Sequence, residues 1–342
     1  MRILVTGGAG FIGSNYIRHV LATHPQDEIV NFDKLTYAGN LDNLADISQN
    51  PRYKFVRGDI CDSALVVDLL KQSIEAIVHF AAESHVDRSI VDAQEFIRTN
   101  VQGTFVILEA ARRQRISRFI QISTDEVYGS MEPGEFANER SPLRPNSPYA
   151  ASKAAADLLV RSYVKTYGFP AMVTRSSNNY GPRQFLEKLI PLMISNASEG
   201  KRLPVYGDGL NERDWIYVED NCRALDRVLR DGRPGEVYNI GYGKPTPNLE
   251  IVRRLIVILG KSTDLIEFVA DRPGHDRCYA LNVEKLSGEL AWQPAVDLEE
   301  GLRRTVEWYQ KNADWMAKAR SGEYQTYYEK LYSHRRSTLA NL

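Results

Sequence analysis

The most constraining feature of this chain is a short apolar strand that runs straight into glycines, MRILVTGGAGFIG, residues 1–13. Gly8, Gly10 and Gly13 stand at G-x-G-x-x-G spacing, and Gly7 allows a G-x-x-G-x-x-G reading as well. Glycines here let the chain turn tightly and let its backbone approach a pyrophosphate, whose charge sits at the N-terminus of the helix opened by FIGSNYI. A glycine run alone is only a turn. Its place after a first strand, with Asp33 closing the second strand VNFD about 20 residues later, makes it a dinucleotide site. A carboxylate at Asp33 binds the adenosine ribose hydroxyls and repels a 2'-phosphate, which predicts NAD over NADP. Lys34 reads as a phosphate clamp or, since the ribose position is already filled, as an exposed lysine. Asp59, after the third strand, fits either the neighbourhood of the adenine or an ordinary turn cap.

Short β-branched runs continue along the chain: ILVTG near 3, IVNFD near 29, YKFVRGD near 53, AIVHFAA near 76, RFIQIST near 118 and AMVTRSS near 171. Between them VVDLLKQ near 66 and EFIRTNVQGTFVILEAARRQ near 95 carry apolar residues at helical spacing and read as crossover helices. The alternation predicts an α/β fold, a doubly wound parallel (Rossmann) sheet over residues 1–180. Beyond 180, turns such as YGPRQF, YGDGLNERDW, YGKPTPN and DRPGHDR predict a smaller C-terminal substrate-binding domain over 181–332, with some chain returning to the sheet and a tail at 333–342. The segment from 302 onward reads as helical. The 43 basic and 44 acidic residues nearly cancel, which argues against nucleic acid or membrane as the main partner and for a small molecule. Cys61, Cys222 and Cys278 lack metal-ligand spacing and suit a reducing compartment, so no zinc site and no disulfide framework are expected. The N-terminus reads as a core strand rather than a signal peptide, and no run reaches membrane-spanning length; a cytoplasmic protein is expected.

Tyr149 and Lys153 lie four apart in PNSPYAASKAAADLLV, whose Pro148 marks a helix start. They share a helix face, so the ammonium is expected beside the phenol, lowering its pKa and making it a usable base for a hydroxyl proton. ISTDEVYG sets Asp125 and Glu126 side by side after a buried strand, an expensive place for charge unless it serves chemistry. In an uninterrupted strand Asp125 would point away from Thr124 and Glu126, so the acids converge only if the strand ends there and turns.

TGGAGFIG, ISTDEVYG, SPYAASK and RSSNNYGP resemble the extended short-chain dehydrogenase/reductase family. AAESHVDRS, DKLTYAGNL, RDWIYVED and DRPGHD narrow the likeness, from residue 1 to about 332, to the dTDP-glucose 4,6-dehydratase family. The resemblance implies oxidation at C4 of a nucleotide-linked glucose, loss of water across C5 and C6, and return of hydride to C6, with NAD regenerated in each turnover. It implies that Tyr149 and Lys153 serve the oxidation, that Thr124 hydrogen-bonds the C4 oxygen, that Glu126 is the base at C5 and that Asp125 is the acid at C6. Around NAD it implies Gly7, Gly10, Phe11, Ile12, Gly13, Asp33, Lys34, Leu35, Thr36, Asp59, Ile60, Phe80, Ala81, Ala82, Glu83, Ser84, Thr99, Tyr149, Lys153 and Asn179. Around the nucleotide sugar it implies Ser84, Thr124, Asn178, Lys188, Leu189, Pro204, Val205, Tyr206, Arg213, Asn248 and the loop Asp271, Arg272, Pro273, Gly274, His275. His85 is balanced between a structural and a binding role. A homodimer joined through helices near 95–114 and 149–166 is also implied. The alternatives are a sugar-nucleotide 4-epimerase, a dehydratase for another nucleoside diphosphate glucose, and a silent NAD-binding protein, against which the five intact residues 124, 125, 126, 149 and 153 count.

Overall fold

The computed structural model describes residues 1–320. Residues 321–332, the end of the stretch over which the family likeness is read and of the helical reading from 302 onward, and the tail at 333–342 lie outside the described residues.

The strands are β1 (Arg2–Thr6), β2 (Glu28–Asp33), β3 (Tyr53–Arg57), β4 (Ala76–His79), β5 (Arg118–Thr124), β6 (Ala171–Ser176), β7 (Asn178–Tyr180), β8 (Leu203–Tyr206), β9 (Glu212–Tyr217), β10 (Val237–Ile240), β11 (Pro245–Pro247) and β12 (Ile266–Val269). The helices are α1 (Phe11–Thr23), α2 (Ser63–Leu70), α3 (Val86–Val91), α4 (Gln94–Phe96), α5 (Thr104–Arg113), α6 (Pro148–Tyr167), α7 (Leu189–Ser198), α8 (Val218–Asp231), α9 (Asn248–Leu259), α10 (Glu284–Leu290), α11 (Leu298–Lys311) and α12 (Ala313–Ala319). A seven-stranded sheet runs in the order β10-β6-β5-β4-β1-β2-β3, and every pairing in it is parallel. All six strands read from the sequence are present in it; the seventh, β10, is the returning chain.

Parallel strands covered on both faces need side chains that are apolar in both directions, and β1 shows why. Ile3 and Val5 pack into the cluster beneath α1 and α8, while Leu4, pointing the other way, joins the cluster formed with α2, α5 and α6. All three are fully buried, each contributing roughly 1.5–3 kcal/mol of transfer free energy. A separate cluster around Ile190, Trp215, Ile251 and Tyr309 forms the core of the later chain, among α7, α9, α11 and α12. The order reverses between β1 and β4, and such a switch point leaves a crevice at the C-terminal ends of the strands.

Two expectations need correction. The segment near 95–114 is not one continuous helix, because α4 passes through a π-helical turn, Ile97–Gly103, into α5. Turns of this kind redirect side chains and often mark functional places. YGDGLNERDW is only partly a turn, since Glu212 already opens β9.

Candidate active site

A cavity of about 300 Å³ fills the crevice. Of the residues expected around a dinucleotide, all but Leu35 form its wall, and Thr124, Asp125, Glu126, Tyr149 and Lys153 line the same space. The cradle is made of backbone. Gly7 has φ +70°, and a Cβ on it would stand 2.6 Å from the Ala81 nitrogen; a Cβ on Gly13 would stand 2.5 Å from the Gly7 oxygen. Gly10 caps α1 without any side-chain hydrogen bond, and no acid lies in the first turn. The helix therefore offers its first amides and its positive end to an anion. Asp33 Oδ2 accepts from the Ala9 N–H at 2.9 Å and Oδ1 from the Leu35 N–H at 2.8 Å. Leu35, in a left-handed conformation with φ 59°, thus orients the carboxylate from outside the wall. Asp59 is both a turn cap, accepting from the Cys61 N–H at 2.9 Å, and an ion-pair centre for Lys34 at 3.0 Å and Arg98 at 2.7 Å. Despite partial burial, those bonds hold its pKa down at about 2. Lys34 is half exposed and engaged with Asp59. Cradle, helix end and ribose-facing acid together fit a dinucleotide.

Strand β5 ends at Thr124, whose hydroxyl accepts from the Glu126 N–H at 3.3 Å and caps the single turn Asp125–Tyr128. The turn brings both acids to the cavity, as the sequence required. Asp125 is 3 % exposed, and Asp125 Oδ2 and Glu126 Oε2 are buried without hydrogen-bond partners. Burial, and then Glu126, push the Asp125 carboxyl well above the usual range. Burial also raises Glu126, but Arg272, Arg213 and Lys188 pull it back. The adjacent acids therefore differ in electrostatic surroundings: Asp125 is biased toward its protonated form, and Glu126 is surrounded by cations.

Helix α6 starts at Ser147, which accepts from the Ala150 N–H at 3.1 Å, with Pro148 in its first turn. Lys153 does not set the phenol as expected: its Nζ donates to the Ile122 carbonyl at 2.6 Å. Burial and the neighbouring Glu126 and Asp125 carboxyls push the Tyr149 phenol upward, opposed by its hydrogen bond with Thr124. Burial lowers Lys153 to about 8, with Asp157 opposing. The phenol's proton is thus held by its surroundings until positive charge nearby increases.

A second cavity of about 160 Å³ adjoins the first, and Glu126, Asn178, Glu187 and Lys188 belong to the walls of both. Asn178, Lys188, Leu189, Pro204, Val205, Tyr206, Arg213, Asn248, Arg272 and His275 line it, whereas Ser84 and Thr124 line the first. Asp271, Pro273 and Gly274 line neither cavity and stand exposed. Asp271 instead hydrogen-bonds His275 Nδ1 at 2.6 Å. Lys188 Nζ donates to the Ser84 carbonyl at 2.8 Å. Arg213 is buried, donates to the Glu212 and Asp276 carbonyls at 2.7 and 2.9 Å, and stacks 4.2 Å from the Tyr279 ring centre. Asn178 Oδ1, Asn248 Oδ1 and Trp215 Nε1 are buried without a protein partner, so two acceptors and a donor are open to a ligand or to water. His85 also lines this cavity, and burial lowers its pKa.

Sequence reasoning missed Asn100, Glu187, Trp215 and Tyr279. Asn100, in the π-helical turn, accepts from the Glu83 N–H at 2.8 Å and donates to the Glu83 carbonyl at 3.0 Å and to Ser152 Oγ at 2.8 Å. It ties the 80–84 wall to α6. The N immediately after RT inside an apolar helix was the available signal.

The GDP-mannose 4,6 dehydratase family model matches residues 4–305. The chain is 49% identical to the dTDP-glucose 4,6-dehydratase of Salmonella typhimurium strain LT2, over 98% of this chain and 100% of that one. It is 50% identical to DesIV, a dTDP-glucose 4,6-dehydratase from Streptomyces venezuelae solved with NAD and TYD bound, with a TM-score of 0.90 and coverage of 92% and 98%. It is also similar to the UDP-glucose 4-epimerase of Thermus thermophilus in complex with NAD, at 31% identity and a TM-score of 0.85, over 91% of this chain and 100% of that one. The wall of glycines, the Tyr149–Lys153 helix and the turn of paired acids thus stand on a shared scaffold, and the chain belongs to the dTDP-glucose 4,6-dehydratases of the extended short-chain dehydrogenase/reductase family.

Proposed function

We propose that this chain converts dTDP-glucose into dTDP-4-keto-6-deoxyglucose, acting as an NAD-dependent hydro-lyase. The observation that carries the reading is the contact of two chemistries in one cavity: a tyrosine–lysine pair for oxidation, and paired carboxyls in unequal surroundings for elimination. When bound, NAD supplies the acceptor for the C4 hydride and returns it to C6. Tyr149, hydrogen-bonded with Thr124, takes the C4 hydroxyl proton as the phenolate, a form that burial and the Glu126 and Asp125 carboxyls oppose and that positive charge beside the ring favours. The C4 ketone acidifies C5. Glu126, kept ionisable by Arg272, Arg213 and Lys188, removes the C5 proton, and Asp125, buried and biased toward the acid form, protonates the departing C6 hydroxyl; Glu126 then returns a proton, exchangeable with solvent, to C5 as hydride reaches C6. Asp33 selects NAD by occupying the ribose position. Residues 1–180 carry the cofactor, and the chain beyond them mainly carries the nucleotide sugar, with its diphosphate among Lys188, Arg213 and Arg272.

Ile97, Phe105 and Leu158 are 53%, 47% and 53% exposed along the two helical segments near 95–114 and 149–166, apolar side chains that a second copy would cover. We place the protein in the cytoplasm as a homodimer, a compartment that suits its three free cysteines. Among the described residues no helix is long and apolar enough to cross a membrane.

The deciding experiment uses dTDP-glucose deuterated at C4. The product should carry the label at C6 and, after turnover in heavy water, deuterium at C5. Label found again at C4, with C5 untouched and no loss of water by mass spectrometry, identifies an epimerase and overturns the reading.

A further inference from the structure

Tyr149, Lys153 and Asp157 succeed one another at four-residue steps on α6 and so form one stripe. Asp157, 3 % exposed, has no place in the chemistry above. Its Oδ2 accepts from Arg175 Nε at 2.9 Å. Arg175, 6 % exposed, lies on β6 directly across from Ser123 of β5. Its Nη1 meets the Tyr128 hydroxyl at 2.9 Å, and that hydroxyl donates to Asn239 Oδ1 on β10 at 2.8 Å. Tyr128 closes the very turn that Asp125 opens. One buried chain of bonds therefore runs from the lysine's helix to the turn that carries the acids.

We propose that Asp157, clamped by Arg175, is a positioning residue that gives Lys153 its counter-charge and, through Arg175 and Tyr128, anchors the Asp125–Tyr128 turn, so that one network holds both the oxidation and the elimination groups. Burial of an isolated ion pair is costly, and removing one partner leaves an uncompensated charge. A pair retained here, behind rather than in the cavity, calls for a role in placing charge. Burial raises the Asp157 pKa, and Arg175, Ser123 and Lys153 oppose that shift. Asp157 in turn is the group that raises Lys153 against its own burial. The other ionisable groups around Lys153 are Tyr149 on its own helix, with Asp125 and Glu126 facing that phenol, and His79 from β4. His79 is held neutral by burial, its pKa down at about 3. None of these supplies the compensation that Asp157 does.

The inference rests on the function proposed above but is tested apart from it. In the NAD-loaded full chain, the Lys153 ammonium is titrated by NMR in wild type, Asp157→Asn and Asp157→Glu. Loss of the negative charge one helical turn away destabilises the ammonium, so in Asp157→Asn the titration should move to lower pH by about one unit, as expected for the loss of a nearby opposite charge. Asp157→Glu, which keeps the charge, should titrate like wild type. Tyr128→Phe changes no charge at Asp157 and should leave the titration in place. On mixing with dTDP-glucose it should slow elimination roughly fivefold or more, the effect of losing the hydroxyl's two buried hydrogen bonds, so that bound reduced cofactor accumulates. An unmoved titration in folded Asp157→Asn, or an equal shift in Asp157→Glu, overturns the proposal. If Asp157→Asn does not fold, Tyr128→Phe decides: selective slowing of elimination supports the network and an unchanged enzyme overturns it. Failure of the functional reading looks different, because wild type would then remove no water from dTDP-glucose, whatever the Lys153 titration shows.

Discussion

The two adjoining cavities are built on opposite plans. The dinucleotide cradle is mostly backbone, with glycines cleared of Cβ atoms, an uncapped helix end, and a carboxylate fixed by two N–H groups. The neighbouring cavity is walled by long side chains from elements far apart in sequence, and several of its cations already bond protein groups: Lys188 to Ser84 and Arg213 to two carbonyls. A backbone site is preformed and fails by steric intrusion. A side-chain site must exchange partners when its ligand arrives, and it fails by loss of charge or reach.

The largest test of this contrast lies where the cavities meet. Glu126→Gln and Asp125→Asn should each reduce elimination about a hundredfold to ten-thousandfold, the usual worth of a general base or acid. Enzyme-bound reduced cofactor should still form in one turnover. Equal loss of both half-reactions would mean that the turn is structural and the contrast misplaced. Next in size, Gly13→Ala forces a Cβ against the Gly7 carbonyl. Overpacking of this kind costs about 1–3 kcal/mol, so the NAD content of purified protein should drop while the later chain's affinity for a thymidine nucleotide stays. Arg272→Gln should act in the other cavity and more mildly. Arg272 is the strongest influence holding the Glu126 carboxyl down. Without it the base ionises only at higher pH, and the acid limb of the elimination pH profile, read at saturating substrate, should move upward; a downward shift would refute the assignment of Glu126. Smallest of all, Lys34→Ala should change NAD affinity by less than about threefold, since Lys34 is half exposed and Arg98 still holds Asp59.

The same contrast explains what could be read from the sequence. The cradle is local: strand, glycines, helix and acid follow one another within residues 1–33, so spacing alone finds them. Six of the seven sheet strands were legible for a similar reason, each a compact β-branched run. β10 was not, because VYNI is short and belongs to the sheet only through pairing with β6, some sixty residues earlier. In the second cavity, Glu187, Trp215 and Tyr279 become neighbours only through folding of the later chain; RDWIYVED marks the segment of Trp215 but not the side chain that turns to the cavity, and nothing local marks Glu187 or Tyr279. The Tyr149–Lys153 spacing correctly predicted proximity on α6 but not electrostatics, because the phenol responds to burial and to carboxyls on β5's end turn, which spacing within one helix cannot reveal.

The sheet stops before the acids begin: β5 ends at Thr124, and Asp125 and Glu126 belong to a single turn outside the hydrogen-bonded ladder. On the function proposed above, the fate of the ketone would rest on two adjacent residues, while the means of making it is distributed over the whole sheet. A lineage on this scaffold can exchange one outcome for another by drift at a loop, with the electron-handling half of the machine inherited intact.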